Sequence, residues 1–208
     1  MCGRYTILTE EDNLEIRKII NDVNDRFKDT EEISKMKTGE IFPTNTVPVI
    51  TADSDNKKVV NLFKWGFPNF KQTSGVIINA RSESVEEKPT FRKILHSKRC
   101  LIPASGFFEW KLIENKKVKH LIRTANQSFF YMAGLYNYYV DKNGNPYTGF
   151  VIITTDANEE MKEVHNRMPV ILTMDETEFW LQNDHLNTDS LKSLFKPYKG
   201  LITLERMA

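Results

Sequence analysis

If Met1 is removed, the chain begins with two nucleophiles on adjacent carbons. Cys2 has a small side chain, the kind of second residue behind which an initiator methionine is removed. Removal leaves Cys2 with a free α-amine and a thiol. A free α-amine titrates at about 7.7–8.0 and a thiol at about 8.5, so near neutrality each keeps a useful nucleophilic fraction. The amine condenses with an aldehyde to give a Schiff base. The neighbouring thiol then closes a thiazolidine ring. An internal cysteine cannot do this, because its nitrogen is locked in an amide. The alternative is an idle cysteine in a frayed terminus, and Met1-Cys2-Gly3-Arg4 does not decide between them.

Chemistry of this kind needs groups that move protons. Glu109 lies in Gly106-Phe107-Phe108-Glu109-Trp110, flanked by aromatic rings. A carboxyl held against apolar groups is raised toward neutrality, which suits a general acid or base; a salt-bridged strand residue facing water fits the alternation equally. Asn79 ends the apolar run Val76-Ile77-Ile78. His165 precedes Asn166-Arg167-Met168-Pro169 and reads either as a proton shuttle or as a cation favouring a helix C-terminus. No second histidine stands at metal-ligand spacing and Cys100 has no CxxC partner, so neither a metal nor a cofactor is expected. Cys100 reads as core. Arg4, Arg81 and Arg167 lie beside these residues, and guanidinium forks suit phosphate. Trp65 and Phe67, at a Gly-Pro turn, read either as rings that stack on bases or as core.

The elements that must position these residues follow from periodicity. Thr9-Glu10-Glu11-Asp12 resembles a capping box, and Ile16, Ile19, Ile20, Val23 and Phe27 continue at helical spacing. An amphipathic helix is therefore expected over about residues 10–27 and a loop over 28–40. Two prolines in residues 41–50 favour extended edge chain. Strands are expected over 47–51, 59–65, 76–80, 100–103, 106–111, 118–123, 129–140, 147–154 and 168–173, with Asn143-Gly144 as a hairpin signal. Short helices are expected at Phe91–Leu95, 158–164, 176–182 and 190–195. The pattern is that of an α+β protein: one domain over residues 1–208, with a curled, mostly antiparallel sheet forming a barrel-like core and helices flanking it.

Composition narrows the class. The chain has 208 residues, 40% hydrophobic and 27% charged, enough for a real core in a soluble protein. No apolar run approaches the roughly 20 residues that span a bilayer, and the first residues lack a signal peptide's basic start and apolar block. Two cysteines make no disulfide framework, so a reducing cytoplasm is expected. The net charge of +1 hides an asymmetry: Lys57 to Arg123 carries about ten more basic than acidic residues, and Asp156 to Asp189 is acidic by about seven. These are two solvated surfaces, or else a basic face for a polyanion whose affinity falls with salt.

Read in order, Met1-Cys2-Gly3-Arg4, Pro43-Thr44, Trp65-Gly66-Phe67-Pro68, Asn79-Ala80-Arg81-Ser82-Glu83, Arg99-Cys100-Leu101-Ile102-Pro103, Gly106-Phe107-Phe108-Glu109-Trp110, Ala133-Gly134-Leu135 and His165-Asn166-Arg167-Met168-Pro169 resemble the SRAP family of abasic-site processing proteins. The departures are Phe67, where an aliphatic residue is usual, and Asn166, where an acidic one is common. The resemblance implies a sensor that crosslinks itself through Cys2 to the ring-opened sugar of an abasic site in single-stranded DNA. By that resemblance Asn79 orients Cys2, Glu109 assists ring opening and later reversal, and His165 moves protons. Contacts to DNA fall to Arg4, Pro43, Trp65, Phe67, Arg81, Ser82, Thr154 and Arg167. It also implies autocatalytic loss of Met1, a peptidase-like activity, a lyase-like side reaction that thiazolidine closure suppresses, a role in the SOS response, and a single copy acting alone at the nucleoid.

Two rivals remain. An N-terminal nucleophile amidohydrolase of the glutaminase kind also begins Met-Cys-Gly, but needs an oxyanion hole and an Arg/Asp pair for its substrate. A non-enzymatic single-strand binder would leave Cys2 idle.

Overall fold

The computed structural model describes residues 2–9, 13–69, 75–182 and 187–207. The expected capping box at Thr9 to Asp12 lies largely outside the described residues. Strand β1 (Arg4–Ile7) leads to helix α1 (Leu14–Arg26). Asn13 caps that helix, its side-chain oxygen accepting from the Ile16 amide at 3.2 Å. Ile16, Ile19 and Val23 form its buried stripe. The expected loop over 28–40 instead holds a short helix, α2 (Glu31–Ser34), and the start of β2 (Gly39–Ile41). Glu31 and Glu32 stand in the first turn of α2, where the helix dipole favours acids.

Strands β3 (Thr46–Ala52) and β4 (Lys58–Trp65) make a hairpin. Its turn is held by Asp53, whose Oδ1 accepts from the Asp55 and Lys57 amides, both at 2.9 Å. Pro48 is tolerated inside β3 although β3 is not an edge: β3 pairs with its second neighbour only at Ile50, opposite Leu101. No N–H is called for at Pro48 on that side.

Beyond Trp65 come β5 (Phe67–Pro68), β6 (Val76–Ile77) and β7 (Asn79–Arg81). Gly66 turns the corner at φ +123°, and a Cβ there would meet Val76 at 2.8 Å, so no larger residue fits. Residues 76–80, expected as one strand, break at Ile78. The Ile78 carbonyl instead accepts from the Trp65 indole and the Ile152 amide, both at 3.1 Å. Helix α3 (Pro89–Arg92) follows, then β8 (Arg99–Ala104), β9 (Gly106–Ile113), β10 (Lys116–Thr124), β11 (Phe130–Val140) and β12 (Pro146–Asp156). The hairpin turn between β11 and β12 carries Gly144 at φ +85°.

Helix α4 (Glu159–Lys162) is capped by Asn158. Residues 168–173 split into β13 (Arg167–Pro169) and β14 (Ile171–Leu172) because the chain changes partners at Val170. There the Val170 amide donates to Ile153 and its carbonyl accepts from Ala133. Thr173 and Glu176 form a capping box at the start of α5 (Met174–Leu181). Helix α6 (Thr188–Lys192) precedes β15 (Ile202–Arg206), a strand the sequence pattern did not announce.

The fold is α+β. Strands β12, β4, β3, β8 and β11 pair in sequence, and β11 pairs back to β12, closing a barrel-like ring. Among the strand pairs of the described residues, β12 with β4 and β12 with β7 run parallel. A second, wholly antiparallel sheet runs β15-β10-β9-β1-β2. Cys2, Tyr5, Trp65, Cys100, Phe107, Ile122 and Phe150 belong to one buried cluster drawn from both sheets. A second cluster packs Phe91, Trp180 and Leu191 of the helices against the ring. Arg99 ties the two together: its buried guanidinium donates to the carbonyls of Trp180, Leu95 and Gln182. Two of those carbonyls close the C-terminal end of α5, where a cation is favoured.

Candidate active site

Strand β1 pairs with β9, so the chain start is delivered to the strand that carries Glu109. Cys2, just ahead of β1, is only 1% exposed, and Glu109 4%. The Cys2 thiol donates to the Arg4 carbonyl at 3.5 Å. Burial pushes that thiol well above its ordinary value, and the charge of Glu109 pushes it further. The third member arrives from the barrel: the Asn79 Nδ2 donates to the Cys2 carbonyl at 2.9 Å. Asn79 Oδ1 is buried and, among the described residues, accepts no hydrogen bond. Asn79 and Glu109 sit in paired strands, β7 and β9, and Cys2 is held just ahead of the paired strand β1.

Trp65 supports this arrangement from behind. It is fully buried, lies edge-on to Tyr5 with ring centroids 5.2 Å apart, and fastens Ile78 through its indole N–H. It thereby sets the position of Asn79, the next residue. Phe67 is equally buried, against Tyr139 and Phe91. Neither ring exposes a face to a base in this structure, which favours the alternative reading, core, over the base contacts expected of them.

His165 sits at the rim, where β13 borders β12. Its Nδ1 accepts from the Arg167 amide at 3.0 Å, so the neutral ring carries its proton on Nε2. Arg167 donates to Glu83, to Asp156 at 2.7 Å and to the Thr154 carbonyl at 2.7 Å. Burial opposes the charge on Glu83, but the hydrogen bond from Arg167 outweighs it and holds that carboxyl below its usual range. Arg81 is exposed at the end of β7, opposite Thr154 on β12. Thr154 and Ser82 are buried, so only Arg81 of this trio meets solvent freely.

A second rim lies on the outer face of the antiparallel sheet. Arg4 pairs with Glu40 at 3.0 Å and lies over Phe42 and Trp110, at 4.3 and 5.2 Å from the ring centroids. Lys119 reaches the same carboxylate at 2.8 Å. Burial works against the Glu40 charge, but hydrogen bonds from Lys119 and Arg4 prevail and lower its carboxyl. Pro43 heads the turn between β2 and β3 beside this cluster. Thr44 there has φ +74°, uncommon for a β-branched residue, and its amide donates to the Trp65 carbonyl at 2.8 Å. Sequence reasoning singled out Arg4 and Pro43 but missed Glu40, Phe42, Trp110 and Lys119. Strand alternation held the signal for Trp110, which must face away from Glu109. Nothing local marks Glu40 or Lys119, which meet only through the register of four strands, β2, β1, β9 and β10.

The profile of the SOS response associated peptidase (SRAP) family matches residues 1–207. The chain is 38% identical over 204 residues to the abasic site processing protein YoqW of Bacillus subtilis, covering 95% of this chain and 88% of that one. It is 36% identical over 206 residues to YoaM of the same organism, a protein of the same description, covering 95% and 86%. A crystal structure of a protein from Bacteroides thetaiotaomicron superposes with TM-score 0.79 at 27% identity, covering all of this chain and 92% of that one.

Proposed function

Because the chain belongs to the SOS response associated peptidase (SRAP) family, we propose that it captures abasic sites in single-stranded DNA as a covalent adduct of Cys2. The observation that supports this best is the convergence of three residues: Asn79 bonds the Cys2 carbonyl, the Glu109 charge reaches the Cys2 thiol, and Cys2 and Glu109 are both buried. Met1 is first removed, converting the Cys2 amide nitrogen into an amine. That amine adds to C1′ of the ring-opened sugar and expels water, giving a Schiff base. The Cys2 sulfur then adds to the same carbon, the nitrogen regains a proton, and a thiazolidine closes.

The order of steps follows from the thiol's environment. Burial and the Glu109 charge keep the thiol protonated near neutrality, so the amine attacks first and the thiol needs a base to close the ring. Glu109 is placed to take that proton, and to give one to the sugar ring oxygen as it opens. Asn79 holds the Cys2 carbonyl through Nδ2 and presents Oδ1 to an incoming amine or hydroxyl. His165, with its Nε2–H, donates to a sugar hydroxyl at the rim. Phosphates dock on Arg4, Arg81 and Arg167, beside Pro43, Ser82 and Thr154. Arg4 and Arg167 already hold carboxylates; the Arg4–Glu40 pair is partly exposed and contributes only about 0–1 kcal/mol, so its exchange for phosphate costs little, whereas the Arg167 side chain is largely buried and held by Glu83, Asp156 and the Thr154 carbonyl. Met1 removal is the peptidase step of this reading, and the protein acts as a monomer without a cofactor.

The test is a heat-stable adduct between the mature protein and a single-stranded abasic oligonucleotide. Hydrolysis of glutamine with the DNA left untouched would replace this reading with the amidohydrolase one. Salt-sensitive binding indifferent to the lesion would replace it with the idle-cysteine binder.

A further inference from the structure

His120 lies on β10, and the pairing of β9 with β10 sets it directly opposite Glu109. The same register sets Ile122 opposite Phe107, both fully buried core. Phe107, Glu109, His120 and Ile122 therefore share the inner face of the sheet. The outer face carries Phe108, Trp110, Lys119 and Arg4, as the stacking of Lys119 over Phe108 confirms. Directly opposed residues hold their Cβ atoms about 4.5–5.5 Å apart, within reach of a carboxylate and an imidazole. Glu109 is 4% exposed and His120 8%. Two proton-carrying side chains thus stand side by side in a row otherwise lined by core.

The ring of His120 is anchored at one nitrogen. Its Nδ1 lies 3.0 Å from the Val118 carbonyl, which can only accept, so Nδ1 holds a proton. Nε2 is then the nitrogen that gains and loses one. This is the reverse of His165, whose Nδ1 accepts. The charged groups on the same face are Glu109 and Lys111 of β9, Lys116 of β10 and Arg206 of β15, which is paired opposite His120 at the exposed edge. Lys117, Lys119 and Arg123 of β10 and Glu205 of β15 alternate to the other face.

We propose that His120 is a positioning residue that orients Glu109 and returns its proton between the steps of the adduct chemistry; this rests on the function proposed above. After Glu109 has protonated the opening sugar, the imidazolium Nε2–H transfers its proton to the carboxylate, which passes it to the hydroxyl that leaves as water when the Schiff base forms and is a carboxylate again when the thiol gives up its proton. An N–H bond breaks and an O–H bond forms. The neutral ring then takes up, by way of water, the proton that the C1′ hydroxyl releases as that carbon becomes a carbonyl, so the protons balance and no oxidant or further reactant is needed. Imidazole is suited to this because it changes charge between about pH 5 and 8.

The experiment measures rates of adduct formation and reversal from about pH 5.5 to 8.5 for wild type, His120→Gln and His120→Ala. The substrate is a single-stranded abasic oligonucleotide. Binding to the same strand carrying a tetrahydrofuran abasic analogue is the control. Both variants should react about 5- to 20-fold more slowly, below the full effect of a general acid or base. Their pH profiles should be flatter in the imidazole range, and analogue binding unchanged. Free imidazole in the buffer should restore part of the rate to His120→Ala. Wild-type rates and pH profile in either folded variant would overturn the role of His120 alone. Absence of any adduct from wild type would overturn the functional reading and this inference with it.

Discussion

The molecule holds the residues proposed to react and those proposed to face phosphates in opposite ways. Around Cys2, Asn79 and Glu109, position is fixed by backbone: strand pairing, the Trp65 indole on Ile78, and the Asn79 bond to a main-chain carbonyl. On the rims, Arg4 and Arg167 are held by carboxylates of Glu40, Glu83 and Asp156. Backbone pairing has one geometry and cannot be exchanged. Ion pairs near solvent are weak and exchangeable. The difference teaches that bond-making and docking draw on separate resources, so substitutions should separate them.

The largest effect should come from Cys2→Ala. It should abolish the adduct on denaturing gels while retaining weak, salt-sensitive binding. Glu109→Gln should slow formation or reversal by about 100-fold or more at unchanged binding, since removing a general acid or base costs 10²–10⁴-fold. Unchanged rates in both directions would remove Glu109 from the mechanism. Trp65→Phe deletes the indole donor and leaves the Ile78 carbonyl with one partner fewer. Thermal unfolding should show a loss of about 1–3 kcal/mol, with adduct formation slowed and analogue binding little changed. A selective loss of binding would instead return Trp65 to the base-contacting role.

Smaller effects are expected at the rim. Glu40→Gln frees Arg4 and Lys119, and single-strand affinity should rise by about 2- to 5-fold with a steeper salt dependence. The sign of the pH effect follows from the lowered carboxyl of Glu40. Its ion pairs are present at neutral pH and above, and are lost as pH falls through that depressed value, so acid should mimic the substitution. The raised Cys2 thiol gives one further expectation: iodoacetamide should label native protein far more slowly than unfolded protein.

Most of the strands and the α+β class were legible because alternation and hairpin signals are local. The breaks at Ile78 and Val170 were not, because each arises where a distant strand or side chain claims a backbone group. Strand β15 was invisible for a similar reason: its place is set by pairing with β10, not by its own pattern. Cys2, Asn79 and Glu109 stood out as polar or reactive residues in apolar stretches. Trp65 and Phe67, singled out by their place at a Gly-Pro turn, were not decided by sequence, since an aromatic at a strand end reads alike whether it faces a ligand or fills a core. Glu40, Lys119 and His120 acquire meaning only through cross-strand register, which no single stretch displays.

The central claim is tested most directly by intact mass of the purified protein, alone and after mixing with a single-stranded abasic oligonucleotide. The account predicts a chain lacking Met1, shifted after mixing by the mass of the oligonucleotide less one water, and no shift for Cys2→Ala. A reactive chain that still carries Met1, or a lesion bound without any covalent increment, would contradict it.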